Sequence, residues 1–248
     1  MQRRDFLKVV GGVGVVAVAP SLIEGRLYAE DGTLYTSYKK VQLTDAEGKP
    51  LLASQLDKEV NYVFNYPYAG TSCMLIALPH PTEKNVKLTS EDGVQYIWKG
   101  GVGKERNIVA FSSICPHQLT HINKSDTFIS YLKTGGKTMG CTKSMPCHDK
   151  GEVIVCGSHL SVYDPKKGAK VLGGPAPQPL ASIVLEHHDD DTLWAVGVLG
   201  ADKFHEFFRA FKPELKEQYG GKRKAKKLVK DKAPTVTLAE FTKDIIRY

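Results

Sequence analysis

Between about residues 35 and 200 the apolar positions fall into short runs, broken by glycine, proline, asparagine and aspartate, which is the spacing of strands and turns. Seven candidate strands stand out: residues 60–66, 73–78, 95–98, 108–114, 152–156, 183–186 and 193–198. The run Ser72-Cys73-Met74-Leu75-Ile76-Ala77-Leu78 is continuously apolar after its serine, so Cys73 reads as a buried core residue. His187-His188-Asp189-Asp190-Asp191 offers metal-ligand residue types, but it joins two apolar strands and reads better as a solvated hairpin turn. After Gly200 the period changes. Phe204, Phe207, Phe208, Phe211 and Leu215 recur at i, i+3, i+4, i+7 and i+11, an aromatic stripe on one helical face, with Pro213 forcing a bend or a restart. A final helix is expected over residues 238–247, with Leu238, Phe241 and Ile245 on one side. The chain therefore divides into residues 1–30, a mostly β domain over 31–200, and a helical extension over 201–248.

Composition is that of a globular protein, with 42% hydrophobic and 25% charged residues in 248. The charge is local. The last 48 residues hold 13 Lys and Arg against 7 Asp and Glu, so +6 of the formal +7 lies in the tail. The run Lys222-Arg223-Lys224-Ala225-Lys226-Lys227 suits anionic lipid headgroups, an acidic partner subunit, or a solvated linker between two docked helices. No basic and aromatic platform suggests nucleic acid.

At the other end, Arg3-Arg4-Asp5-Phe6-Leu7-Lys8, followed by the apolar residues 9–19 and Pro20, matches a twin-arginine export signal; an ordinary basic leader is the alternative. Neither Ala17-Val18-Ala19, which precedes a proline, nor Leu27-Tyr28-Ala29 makes a clear cleavage site. Residues 5–23 are near the lower limit for a membrane span, so retention as an anchor at the periplasmic face of the cytoplasmic membrane is expected.

The chemistry lies in two short boxes, Cys115-Pro116-His117 and Cys156-Gly157-Ser158-His159. Each loop gives one thiolate and one imidazole. That donor set serves a Rieske [2Fe–2S] centre, in which two histidines replace two cysteines on one iron, and also a Cys2His2 zinc site. Zinc fingers more often pair like ligands along the chain. Residues downstream of the second box sharpen the choice: Ser161 and Tyr163, then Gly174-Pro175-Ala176-Pro177. Together these resemble the Rieske iron–sulfur subunit of cytochrome bc1 and b6f complexes, and the small subunit of arsenite oxidase.

The resemblance implies a mostly β Rieske domain, with a small cluster-binding part inserted into a base of antiparallel sheets. It implies that Cys115 and Cys156 hold the inner iron and His117 and His159 the outer one. The Ser161 and Tyr163 hydroxyls would bond to cluster sulfur, and the loop of Pro175 would shield the cluster. His117 and His159 would couple electron and proton affinity, taking both from a quinol, between cytochrome b-like and cytochrome c-like subunits. A flexible neck is expected at about residues 24–37.

Two departures matter. Thr120 and Ser158 stand where that family carries a second cysteine in each loop, so the inter-loop disulfide is not expected; a hydrogen bond between the hydroxyls would replace part of it, at about 1 kcal/mol. And 38 residues separate His117 from Cys156, about twice the family's spacing. The excess, about residues 122–150, carries Cys141 and Cys147, read as a disulfide or as two free thiols. Pro146-Cys147-His148 looks like a ligand box but has Met145 where a partner cysteine would be needed. The leading reading is a quinol-oxidising subunit of a bc1-like complex. The alternative is an electron-relay subunit of another exported oxidoreductase, touching no quinol. A zinc-stabilised binding module is the third. A Rieske oxygenase is disfavoured, because only a short tail comes after the cluster region.

Overall fold

A computed structural model describes residues 34–136 and 151–247. The strands and helices are β1 (Tyr35–Thr44), β2 (Tyr62–Asn65), β3 (Ser72–Ala77), β4 (Val86–Thr89), β5 (Gln95–Trp98), β6 (Ile108–Ser112), β7 (Asp126–Thr127), β8 (Ile129–Leu132), β9 (Val153–Cys156), β10 (Ser161–Asp164), β11 (Lys170–Gly173), β12 (Ser182–His187), β13 (Leu193–Leu199), α1 (Phe204–Ala210), α2 (Lys212–Tyr219), α3 (Lys222–Ala225), β14 (Lys232–Pro234), β15 (Val236–Thr237), α4 (Leu238–Phe241) and β16 (Asp244–Ile245). All seven expected strands are present, within two residues at each end.

The base is an eight-stranded sheet in the order β14-β1-β13-β12-β6-β3-β2-β15. Both of its faces are covered, which explains the continuous apolar runs: side chains alternate across a strand, and here each side meets a core. On β3, Cys73, Leu75 and Ala77 enter one cluster with Phe64, Ala110 and Leu193. Met74 and Ile76 enter the other, with Phe111, Tyr163 and the two box cysteines. A second, four-stranded sheet, β11-β10-β9-β8, carries the second ligand box. Cys73 is buried as expected, its thiol directed at the Tyr66 carbonyl at 3.0 Å. The turn His187–Asp191 does join β12 to β13, closed by the His188 amide on the Thr192 carbonyl at 3.0 Å.

The tail departs from its expected form. Helices α1 and α2 follow the aromatic stripe, burying Phe204, Phe207, Phe208 and Leu215, and the helix restarts at Lys212–Pro213. Its remainder, however, is drawn into sheets. β14 pairs in parallel with β1, at Leu43↔Ala233, and β15 pairs antiparallel with β2, at Val236↔Val63. These two strands are separated by one residue yet lie at opposite ends of the strand order, so the sheet is curled until its ends meet and the tail closes it. The expected helix over 238–247 is shorter. A capping box, Thr237 with Glu240, starts α4, which stops at Phe241; β16 then pairs in parallel with β7. Removing residues 201–248 is therefore expected to leave an unfolded chain by circular dichroism. Phe204, Phe207, Phe208 and Leu215 alone contribute about 2 kcal/mol each, against a total stability on the order of 5–15 kcal/mol.

The expected neck is also shorter, because Tyr35–Ser37 pair with Leu199–Gly197 in β13. Residues 24–33 of it, the export or anchor segment, and Cys141, Cys147 and His148 lie outside the described residues. Among the described residues no helix is long and apolar enough to cross a membrane.

Candidate cluster site

Strand β6 delivers the first box and the β9–β10 hairpin the second, with Cys156 opposite Ser161 in register. The first loop is wound tightly: the Leu119 amide donates to the Cys115 carbonyl at 2.9 Å and the Cys115 amide to the Thr120 carbonyl at 2.7 Å. Just past each box histidine, Leu119 (φ 60°) and Leu160 (φ 61°) take the left-handed conformation that side chains with a Cβ avoid. Thr120 donates to Ser158 across the loops at 3.0 Å, the hydroxyl pair expected to link them.

The four donors come together with a clear polarity. Cys115 and Cys156 are each 1% exposed, whereas His117 is half-buried and His159 is exposed. The two imidazoles meet edge to face, ring centroids 4.8 Å apart. The Tyr163 hydroxyl lies 3.1 Å from the Cys115 sulfur. Hydrogen bonding from Cys156, joined by the Tyr163 hydroxyl, holds the Cys115 thiol well below its usual range, at about 6, despite burial. The Cys156 thiol, as donor to Cys115 and itself buried, is pushed up, and burial does the same to Tyr163. Two polar atoms, Ser161 Oγ and His117 Nδ1, are buried with no hydrogen-bond partner, a costly state that needs an explanation. Pro175 is exposed, but its loop lies against the second box: a Cβ on Gly174 would sit 2.3 Å from the Leu160 carbonyl oxygen.

Part of the long insert is structural. Strand β8 pairs with β9, Ile129 facing Cys156, and so forms the fourth strand behind the second box. Glu59 ties this strand to the base, accepting from the Thr134 amide at 2.6 Å and from the Tyr131 hydroxyl at 3.2 Å. Sequence reasoning also passes over His121, buried at the end of the first loop and 2.8 Å from Glu214 in the tail. Its partner lies 93 residues away, so no local motif announces the pair.

A family model for the Rieske [2Fe–2S] domain matches residues 77–184. The chain is also 30% identical over 201 residues to iodate reductase subunit IdrB of Denitromonas iodatirespirans, an alignment spanning 81% of this chain and 82% of the relative. The chain belongs to the Rieske family. A second IdrB, from Pseudomonas sp. (strain SCT), is 30% identical over 138 residues, 55% of this chain and 52% of that one. The soluble domain of Rieske protein II (soxF) from Sulfolobus acidocaldarius superposes with a TM-score of 0.43 at 23% identity, covering 65% of this chain and 78% of that one.

As a Rieske protein the chain carries a Rieske-type [2Fe–2S] cluster and transfers electrons. The residues present fit that group. Two buried sulfurs and two imidazoles near the surface are the donor set such a cluster takes. Cluster iron and sulfide would also satisfy the orphaned His117 Nδ1 and Ser161 Oγ.

Proposed function

We propose that this Rieske protein is the electron-relay subunit of an exported oxidoreductase of the iodate reductase type, not the quinol-oxidising subunit of a bc1-like complex. The observation that carries this is the similarity to IdrB across 81% of the chain. It favours the alternative over the quinol reading that the sequence motifs suggested first. The Arg3-Arg4 motif supports export by the twin-arginine route.

In this reading Cys115 and Cys156 hold the inner iron and His117 and His159 the outer one. When bound, the cluster supplies a one-electron couple. The residues around it do the rest. Burial of both cysteines keeps water from the sulfurs. Ser161 and Tyr163 aim hydroxyls at the sulfur side, where a donor stabilises added negative charge and raises the potential. The exposed His159 and half-buried His117 form the edge at which a partner's redox centre comes close enough for transfer. Neither imidazole is required to accept a substrate proton. The run 222–230 supports an acidic partner surface. Among the described residues, none of Lys222, Arg223, Lys224, Lys226, Lys227 and Lys230 forms an ion pair, and Leu228 stands 48% exposed among them.

The test is a redox titration of the full chain by electron paramagnetic resonance, repeated from pH 6 to 9, with quinol oxidation assayed in parallel. A Rieske signal whose potential is flat through neutral pH, without quinol:cytochrome c activity, is expected. A potential that falls above neutral pH together with quinol oxidation would return the bc1-like reading. In the same titration Tyr163→Phe is expected to lower the potential by roughly 40–65 mV, the one-electron equivalent of a hydrogen bond worth about 1–1.5 kcal/mol. An unchanged potential would mean that the hydroxyl does not reach cluster sulfur.

A further inference from the structure

The first ligand loop is gripped from outside by the tail. His121 is 6% exposed, and each of its ring nitrogens meets an oxygen that accepts: Nδ1 lies 2.8 Å from the Leu119 carbonyl, and Nε2 lies 2.8 Å from Glu214 Oε1. Glu214 stands in the first turn of α2. Phe207 and Phe211 meet the imidazole edge-on, at 4.7 and 4.6 Å between ring centroids, and shield it. The Nε2 contact is made to a carboxylate oxygen. A charge-assisted bond of this kind is roughly twice as strong as a neutral one.

The oxygen that His121 holds belongs to a constrained residue. Leu119 is the left-handed position of the loop, and its amide is the donor to the Cys115 carbonyl. A residue with a Cβ stays in that conformation only where its surroundings fix it. The chain of contacts thus runs from Glu214 through His121 and Leu119 to Cys115. One turn further along α2, Gln218 Oε1 accepts from the Lys124 amide at 3.3 Å and ties the same helix to the segment just after the loop.

We propose that the His121–Glu214 pair is a positioning device, by which helix α2 of the tail holds the first ligand loop in the shape that presents Cys115 and His117 to the cluster. This rests on the assignment of those two residues as ligands. His121 and Glu214 are positioning residues and act through Leu119.

The test compares Glu214→Ala, Glu214→Gln and Phe208→Leu in the full, cluster-loaded chain. Phe208 is buried in the same helix pair and packs on Tyr68 and on Phe207, one ring removed from His121. Three quantities are read: iron release into a chelator, the g-values and widths of the cluster signal, and the melting temperature. Glu214→Ala is expected to release iron roughly tenfold faster, the factor of one lost charge-assisted bond, and to broaden the signal. Glu214→Gln, which keeps an acceptor oxygen without the charge, is expected to fall between it and the unmodified chain. Phe208→Leu is expected to lower the melting temperature while leaving the signal shape intact. The proposal is overturned if Glu214→Ala matches the unmodified chain in release and signal, or if Phe208→Leu changes both as much as Glu214→Ala does. An unmodified chain with no Rieske signal would remove the ligand assignment itself, and this would be seen before any variant is compared.

Discussion

Cys156→Ser is expected to give a colourless protein with no Rieske signal. The substitution is conservative in every respect but one. Cys156 ends β9, its backbone paired on one side to Ser161 and on the other to Ile129, and those ladders do not depend on the side chain. Serine fits the space, so the fold should persist, with a denaturation midpoint shifted by no more than about 1–2 kcal/mol. What is lost is the sulfur. The matched control is Cys73→Ser, equally buried but on the far side of β3, where a hydroxyl inherits the Tyr66 carbonyl as acceptor. That variant is expected to lose about 1 kcal/mol or more and to keep the full signal. A rhombic signal surviving in Cys156→Ser would point to Cys141 or Cys147 as the source of the second sulfur.

Gly174→Ala is expected to lower stability by about 2–4 kcal/mol and to make the cluster labile, through backbone overlap and φ strain at one point. The added methyl would stand 2.3 Å from the Leu160 oxygen and 2.6 Å from the Ser161 Cα, and φ at this position is +84°. Neither neighbour is a flexible side-chain end, so the proline loop must lift off the second box. Gly93→Ala separates the two contributions. Its φ is +79° but nothing lies within 4 Å of the new methyl, so it should cost only the conformational part, about 1 kcal/mol. Chemical denaturation followed at the cluster absorbance and by circular dichroism checks both variants. Equal effects would mean that the proline loop does not press on the cluster hairpin.

The site was legible because its chemistry is local. Cys115 with His117, Cys156 with His159, and Ser161 with Tyr163 all sit within a few residues of one another, and a tight loop keeps them together in space. The central strands were legible because burial on both faces leaves no polar positions in runs such as Cys73-Met74-Leu75-Ile76-Ala77. Strand β1 was not. Its register slips between Ser37 and Val41, at the Lys39-Lys40 pair, and the slip erases any alternation. The end of the tail misled for a different reason: Leu238, Phe241 and Ile245 have helical spacing, but the interior they reach is gained partly through β16 pairing with β7. His121 and Glu214 were invisible because their partnership is made by the fold alone. The choice between quinol oxidation and electron relay was also out of reach of the motifs, because both tasks use the same ligands.

The closure of the base sheet by β14 and β15 sets an order on the birth of the molecule. Residues 35–44, among the first of the described chain to leave the ribosome, wait for residues 232–234, among the last, before that edge of the sheet is complete. Glu214, whose carboxylate meets the first ligand loop, also emerges long after both boxes. The base sheet therefore reaches its final form only after residues 232–234 have emerged, and a chain cut short before them has an open sheet edge that proteases can recognise.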